Sequence, residues 1–60
     1  MDTFTERRLD RIRALLDQSN PRIPNLTKSK YLSTEAKRLS PKLDQKVINR
    51  YLSKHGLPEL

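Results

Sequence analysis

Ser40-Pro41-Lys42-Leu43-Asp44-Gln45-Lys46-Val47-Ile48-Asn49-Arg50-Tyr51-Leu52-Ser53-Lys54-His55-Gly56-Leu57-Pro58 carries its own start and stop signals for a helix. The Ser40 hydroxyl can accept a hydrogen bond from an orphan first-turn amide. Pro41 suits the first helical position, where its missing N–H costs nothing. Lys54 and His55 meet the negative pole of the helix dipole, Gly56 can adopt the left-handed closing conformation, and Leu57 can fold back onto Leu52. Pro58 forbids continuation. The stretch therefore predicts a helix over 41–55. Leu43, Val47, Ile48, Tyr51 and Leu52 form its apolar face at i, i+4, i+5, i+8 and i+9. Lys42, Gln45, Lys46, Asn49, Arg50 and Ser53 lie opposite with no carboxylate among them, since Asp44 falls toward the apolar side near the helix start.

Upstream, Leu32, Ala36 and Leu39 recur at i, i+4 and i+7, predicting a helix over 28–39 capped by Thr27 or Ser29. Its outer face carries Lys30, Lys37 and Arg38 with Thr34 and, nearby, Tyr31. Only Ser40 then separates it from the last helix, and so short a joint forces a sharp angle, as in a helix-turn-helix pair. Residues 19–27 contain Pro21 and Pro24, which push their predecessors out of helical geometry and predict an extended linker. Pro21-Arg22-Ile23-Pro24 is formally a PxxP sequence, but in so small a chain it reads as a stiff loop. Thr3-Phe4-Thr5-Glu6 has the form of a capping box, and Phe4, Leu9, Ile12, Leu15 and Leu16 predict a helix over 4–18. Its spacing pairs Asp10 with Arg13 and Arg13 with Asp17 on a solvated face, with Arg7 and Arg11 on a separate flank.

The expected architecture is all-α: one three-helix domain over residues 1–60, its last two helices arranged like a helix-turn-helix. The expected core is Phe4, Leu9, Ile12, Leu15, Leu16, Ile23, Leu26, Leu32, Ala36, Leu39, Leu43, Val47, Ile48, Tyr51 and Leu52. Sixty residues, 33% of them hydrophobic, build a minimal core but no deep water-shielded pocket. With no cysteine there is neither a disulfide nor a thiolate metal site, which favours the cytoplasm. The longest apolar run, Ala14-Leu15-Leu16, is far shorter than a membrane span or signal-peptide core. Asn25-Leu26-Thr27 matches a glycosylation acceptor only by chance.

Charge is unevenly spread. Residues 1–20 hold four basic and four acidic side chains, whereas residues 21–60 hold nine basic and three acidic, and so carry all of the +6 net charge. A neutral amphipathic start would close the core, and a basic remainder would meet an anion. Basic charge also serves plain solubility.

Catalytic chemistry has little to build on. His55 is the sole histidine, Gly56 the sole glycine, and the carboxylates are scattered with no expected buried partner to shift their pKa. Zinc lacks its four donors, so no enzyme activity, metal or cofactor is expected. Nucleic-acid binding is the expected function, with DNA favoured over RNA and a regulatory role such as control of transcription. Arg50 would pair with guanine and Asn49 or Gln45 with adenine, while Lys30, Lys37, Arg38, Lys42, Lys46, Ser53 and Lys54 would hold phosphates. The alternative is a small helical regulator or inhibitor that docks on an acidic surface of a partner protein, with Tyr31, Tyr51, Arg38 and Arg50 as interface-type residues. Membrane binding is not expected, because the core consumes the apolar residues. Domains this small also form homodimers to enlarge the buried area.

Overall fold

Asp2, not Thr3, starts the first helix in the computed structural model, which describes residues 1–60: its carboxylate accepts the Thr5 amide at 3.1 Å. The expected capping box is therefore replaced by a single aspartate cap one residue earlier, whose charge also suits the helix dipole. The chain is all-helical, with α1 at Thr3–Ser19, α2 at Asn25–Leu39 and α3 at Gln45–Lys54. α1 packs closely on α2 and α2 on α3, whereas α1 and α3 meet only through long side chains.

The expected linker over 19–27 shrinks to five residues, because α2 begins at Asn25 and not at 28. Pro24 is the residue before it, and neither Thr27 nor Ser29 caps the helix; no side chain does. The last helix likewise begins at Gln45, not Pro41. Ser40 ends α2 in an extended conformation, and the Leu43 amide donates to the Ser40 carbonyl at 2.9 Å. Pro41 thus occupies the second position of a β-turn, for which its fixed φ is equally suited. Asp44 then caps α3, accepting the Lys46 amide at 3.1 Å. Asp and Ser cap about equally well, but the Asp44 carboxylate adds a negative charge that suits the positive helix start.

The two connections share one design. Asn20-Pro21-Arg22-Ile23-Pro24 closes with Ile23 N–H on the Asn20 carbonyl at 3.1 Å, as Ser40-Pro41-Lys42-Leu43-Asp44 does with Leu43. Each follows a helix whose capping amide returns to a carbonyl four residues back, Asn20 to Leu16 and Ser40 to Ala36. In each, a basic residue stands at the exposed tip and an aliphatic residue tucks back, half-buried.

Leu9, Leu32, Ala36, Ile48, Tyr51 and Leu52 are the buried core, with Met1, Ile12, Leu43 and Leu57 packed at its edge. Leu16, Ile23, Leu39 and Val47 are half-buried. Phe4, Leu15 and Leu26, expected inside, are instead 69%, 51% and 48% exposed. The inward line of α1 runs through the buried Thr5 and Leu9 and the half-buried Ile12 and Leu16, whereas the buried Ser29 and Ser33 of α2 turn their hydroxyls to the Pro58 carbonyl and to Gln45 of α3. Phe4 and Leu15 lie about 100° around α1 from that line, on a side that meets solvent.

The end of α3 follows the sequence closely. Gly56 has φ +73°, its amide donates to the Ser53 carbonyl at 3.1 Å, and the Leu57 amide donates to the Leu52 carbonyl at 2.8 Å. This Schellman closure turns Leu57 back onto the core, so the chain beyond it runs alongside α2 and α3. Ser29 Oγ donates to the Pro58 carbonyl at 2.7 Å, giving a buried hydroxyl its partner.

Candidate nucleic-acid interface

The outward side of α3 is set by its inward one. Ile48, Tyr51 and Leu52 are buried, so helical spacing turns Lys46, Arg50 and Ser53 to solvent, and all three are exposed. Lys42 joins them from the tip of the preceding turn. Asp44, the nearest carboxylate in sequence, is engaged as the α3 cap. Lys42, Lys46 and Arg50 have no ion-pair partner within 4.0 Å. The result is a small cationic surface without internal neutralisation.

Gln45 and Asn49 are held differently. Gln45 Nε2 donates to Asn49 Oδ1 at 3.0 Å and reaches Ser33 Oγ at 3.5 Å. Asn49 also bonds the backbone of Leu60 through both ends of its amide: Nδ2 donates to the Leu60 carbonyl at 2.9 Å, and Oδ1 accepts the Leu60 amide at 3.0 Å. Both side chains expected to meet adenine are thus half-buried and occupied by each other, by the Leu60 backbone and by the Ser33 hydroxyl. Lys30 and Lys37 are exposed on α2, on the flank that helical spacing shares with Ser33. Arg38 is exposed and lies 3.3 Å from Glu35, and Lys54 lies 3.7 Å from Glu6. Arg50 and Lys54, with Met1, Glu6, Val47 and Tyr51, line a shallow open cleft at the α1–α3 seam.

That seam contains the one cluster of shifted titratable groups. Tyr51 Oη donates to Asp10 Oδ1 at 2.5 Å and accepts from Arg13 Nε at 3.4 Å. The donated hydroxyl, ahead of Arg13 and His55, holds the Asp10 carboxyl below the usual carboxylate range. Burial pushes the Tyr51 phenol up to about 12, with Asp10 adding to the rise and Arg13 opposing it. His55 packs against Tyr51 with ring centres 4.5 Å apart. Its Nε2 lies 3.8 Å from Asp10 without a hydrogen bond, and burial, followed by the Arg13 charge, pulls its pKa down. The expectation that no carboxylate has a pKa-shifting partner is therefore corrected at Asp10. Asp17 pairs with Lys28 of α2 at 2.6 Å, not with Arg13. Tyr51 is buried, which removes it from the exposed interface-type residues.

No group of three or more His, Cys, Asp or Glu side chains converges as a metal site would require, and no helix is long and apolar enough to cross a membrane. Comparison with family models, with curated proteins and with solved structures finds no match for this chain.

Proposed function

We propose that the protein binds nucleic acid through the outward side of α3 and the turn before it. The observation that carries this is the surface of Lys42, Lys46 and Arg50, none of which has an ion-pair partner within 4.0 Å, with Asp44 beside them engaged as a cap. Side chains of this kind hold phosphates and fix a protein on a duplex. Lys30, Lys37, Arg38 and Lys54 extend the charge, and Ser53 adds a hydroxyl about one turn beyond Arg50. Arg50 is the free side chain able to pair with a guanine edge. We favour DNA over RNA, a regulatory role in the cytoplasm, and pairing of two copies as the way to enlarge a small footprint.

The test is a mobility shift on duplex DNA and structured RNA across a salt series. Lys46→Ala should weaken binding to all sequences alike and lower the log–log salt slope by about one unit. Arg50→Ala should cost about 1–3 kcal/mol on a preferred site and little on random DNA. Affinity weaker than millimolar at low salt, in folded protein, would end the proposal.

A second reading has one observation in its favour. Tyr31 is 47% exposed and shares a flank of α2 with Arg38, a pairing of residue types that anchors protein interfaces. A nuclease-resistant complex of fixed stoichiometry, weakened by Tyr31→Ala, would replace nucleic acid with an acidic protein surface as the target.

A further inference from the structure

α1 sums to zero charge in sequence, yet its charges are sorted in space. Asp2 caps the helix, Glu6 lies against Lys54, Asp10 accepts from Tyr51 and Arg13, and Asp17 pairs with Lys28. Every carboxylate at the start of the chain is thus engaged at a cap or along the seams with α2 and α3. Arg7, Arg8 and Arg11 point the other way. They are exposed and have no ion-pair partner. Phe4, 69% exposed, stands among them, and Thr3, Phe4, Arg7, Arg8 and Arg11 line one open depression. The four larger side chains fall at i, i+3, i+4 and i+7, a single helix face.

We propose that this face is a second nucleic-acid site, one that holds a single strand with a base stacked on Phe4 and its phosphates on Arg7, Arg8 and Arg11. Single-strand binding combines a cationic track with an aromatic platform, and any base offers a ring to stack. Arg7 and Arg11 are one turn apart, about 6 Å along the axis, so the cations flank the ring on a continuous line. Guanidinium forks grip phosphate oxygens bidentately. An anionic membrane is the lesser fit. The next exposed large apolar side chain on α1, Leu15, lies about 16 Å along the axis from Phe4, with arginines between them. No contiguous apolar wedge forms that could enter the acyl boundary. The site is separate from α3, so its fate does not depend on the Lys46–Arg50 surface.

The test is fluorescence anisotropy with labelled oligo-dT and oligo-rU, with duplex DNA, inorganic polyphosphate and phosphatidylserine vesicles as further arms. Arg7→Gln/Arg8→Gln/Arg11→Gln should weaken oligonucleotide binding by at least about tenfold and lower the salt slope by about two units. Phe4→Ala should weaken it about five- to a hundredfold with the slope unchanged, and Phe4→Tyr should restore it. Lys46→Ala/Arg50→Ala should leave oligo-dT within about twofold while losing duplex. All these side chains are exposed, so helical circular dichroism should be unchanged; should the triple variant unfold, Phe4→Ala and Arg8→Gln alone decide. The proposal is overturned if Phe4→Ala binds oligo-dT like the parent, or if polyphosphate competes equally well per charge. It is also overturned if vesicles, and not oligonucleotides, show the Phe4 dependence, or if the α3 variant abolishes oligo-dT binding.

Discussion

Tyr51 Oη donates to Asp10 Oδ1 at 2.5 Å and so ties α3 to α1, two helices whose backbones do not otherwise approach. The bond has neutral donor and charged acceptor, a combination stronger than a neutral pair. Asp10 is 45% exposed, however, so water competes for it. Tyr51→Phe keeps the packing and deletes the hydroxyl. It should cost about 1 kcal/mol, less than the full value of a charge-assisted bond, and lower the melting temperature by about 4–8 °C. An unchanged melting curve would remove this bond from the list of things that hold α1 to α3.

The same phenol makes an alkaline prediction. Its folded pKa is raised to about 12 from 10.0, so the fold favours the protonated form. That contribution is fully present below about pH 10 and is lost as pH rises toward about 12. Urea midpoints measured between those limits should fall in the parent and fall less in Tyr51→Phe. Lysines titrate in the same window, so the difference between the two proteins is the quantity to read.

On the acid side two groups act in the same direction. His55 and Asp10 both have folded pKa values below their ordinary values of 6.5 and 3.8. The fold therefore disfavours the protonated form of each. Stability should be full above about pH 6.5, fall as His55 takes its proton, and fall again below about pH 4 as Asp10 takes its own. His55→Gln should abolish the first step and spare the second. A pH series of denaturant midpoints that is flat from 7 to 5 in the parent would refute the first step.

Gly56 tests the closure of α3 without any packing change, because a methyl group there would meet nothing within 4 Å. Its φ of +73° is the whole difficulty. Gly56→Ala should cost about 1–2 kcal/mol, and Gly56→Asn less, since Asn tolerates the left-handed region. Equal losses for the two variants would mean that something other than φ sets the requirement. Leu52→Ala, by contrast, empties a fully buried site and should cost about 2–5 kcal/mol, enough to unfold so small a domain.

Three helices and the Gly56 closure were legible because each rests on local signals: periodicity, a left-handed glycine, a proline stop. The helix starts were harder, since Ser-Pro opens a turn as readily as a helix, and Asp44 can cap as well as Ser40 while adding a charge that suits the dipole. Phe4, Leu15 and Leu26 were misplaced because apolar identity says nothing about how far a neighbouring helix reaches. Phe4 and Leu15 lie about 100° around α1 from its buried line, and which side α2 and α3 cover is a property of the packed helices. The basic row on α3 could be read directly, as its buried neighbours fix its direction. Neither the occupation of Asn49 by Leu60 nor the sorting of charge on α1 could be read, because both depend on partners distant in sequence.

Asn49 offers the sharpest separation between residue type and residue role. Its amide is of the kind that pairs with adenine, yet both of its polar atoms are engaged by the backbone of Leu60, at 2.9 and 3.0 Å. The bidentate pair pins the chain end over the flank of α3 and leaves the amide no free edge. Asn49→Ala should therefore act on the tail first. The Leu60 amide should lose its hydrogen-exchange protection, and carboxypeptidase should trim the end faster, with a stability loss of about 1 kcal/mol or less. Duplex affinity should stay within about twofold of the parent, whereas Lys46→Ala lowers it and its salt slope. If Asn49→Ala costs more than about tenfold in affinity on one sequence and little on another, its amide reads a base. The tail would then have to leave Asn49 when nucleic acid arrives, and truncation at Pro58 should raise affinity for that sequence.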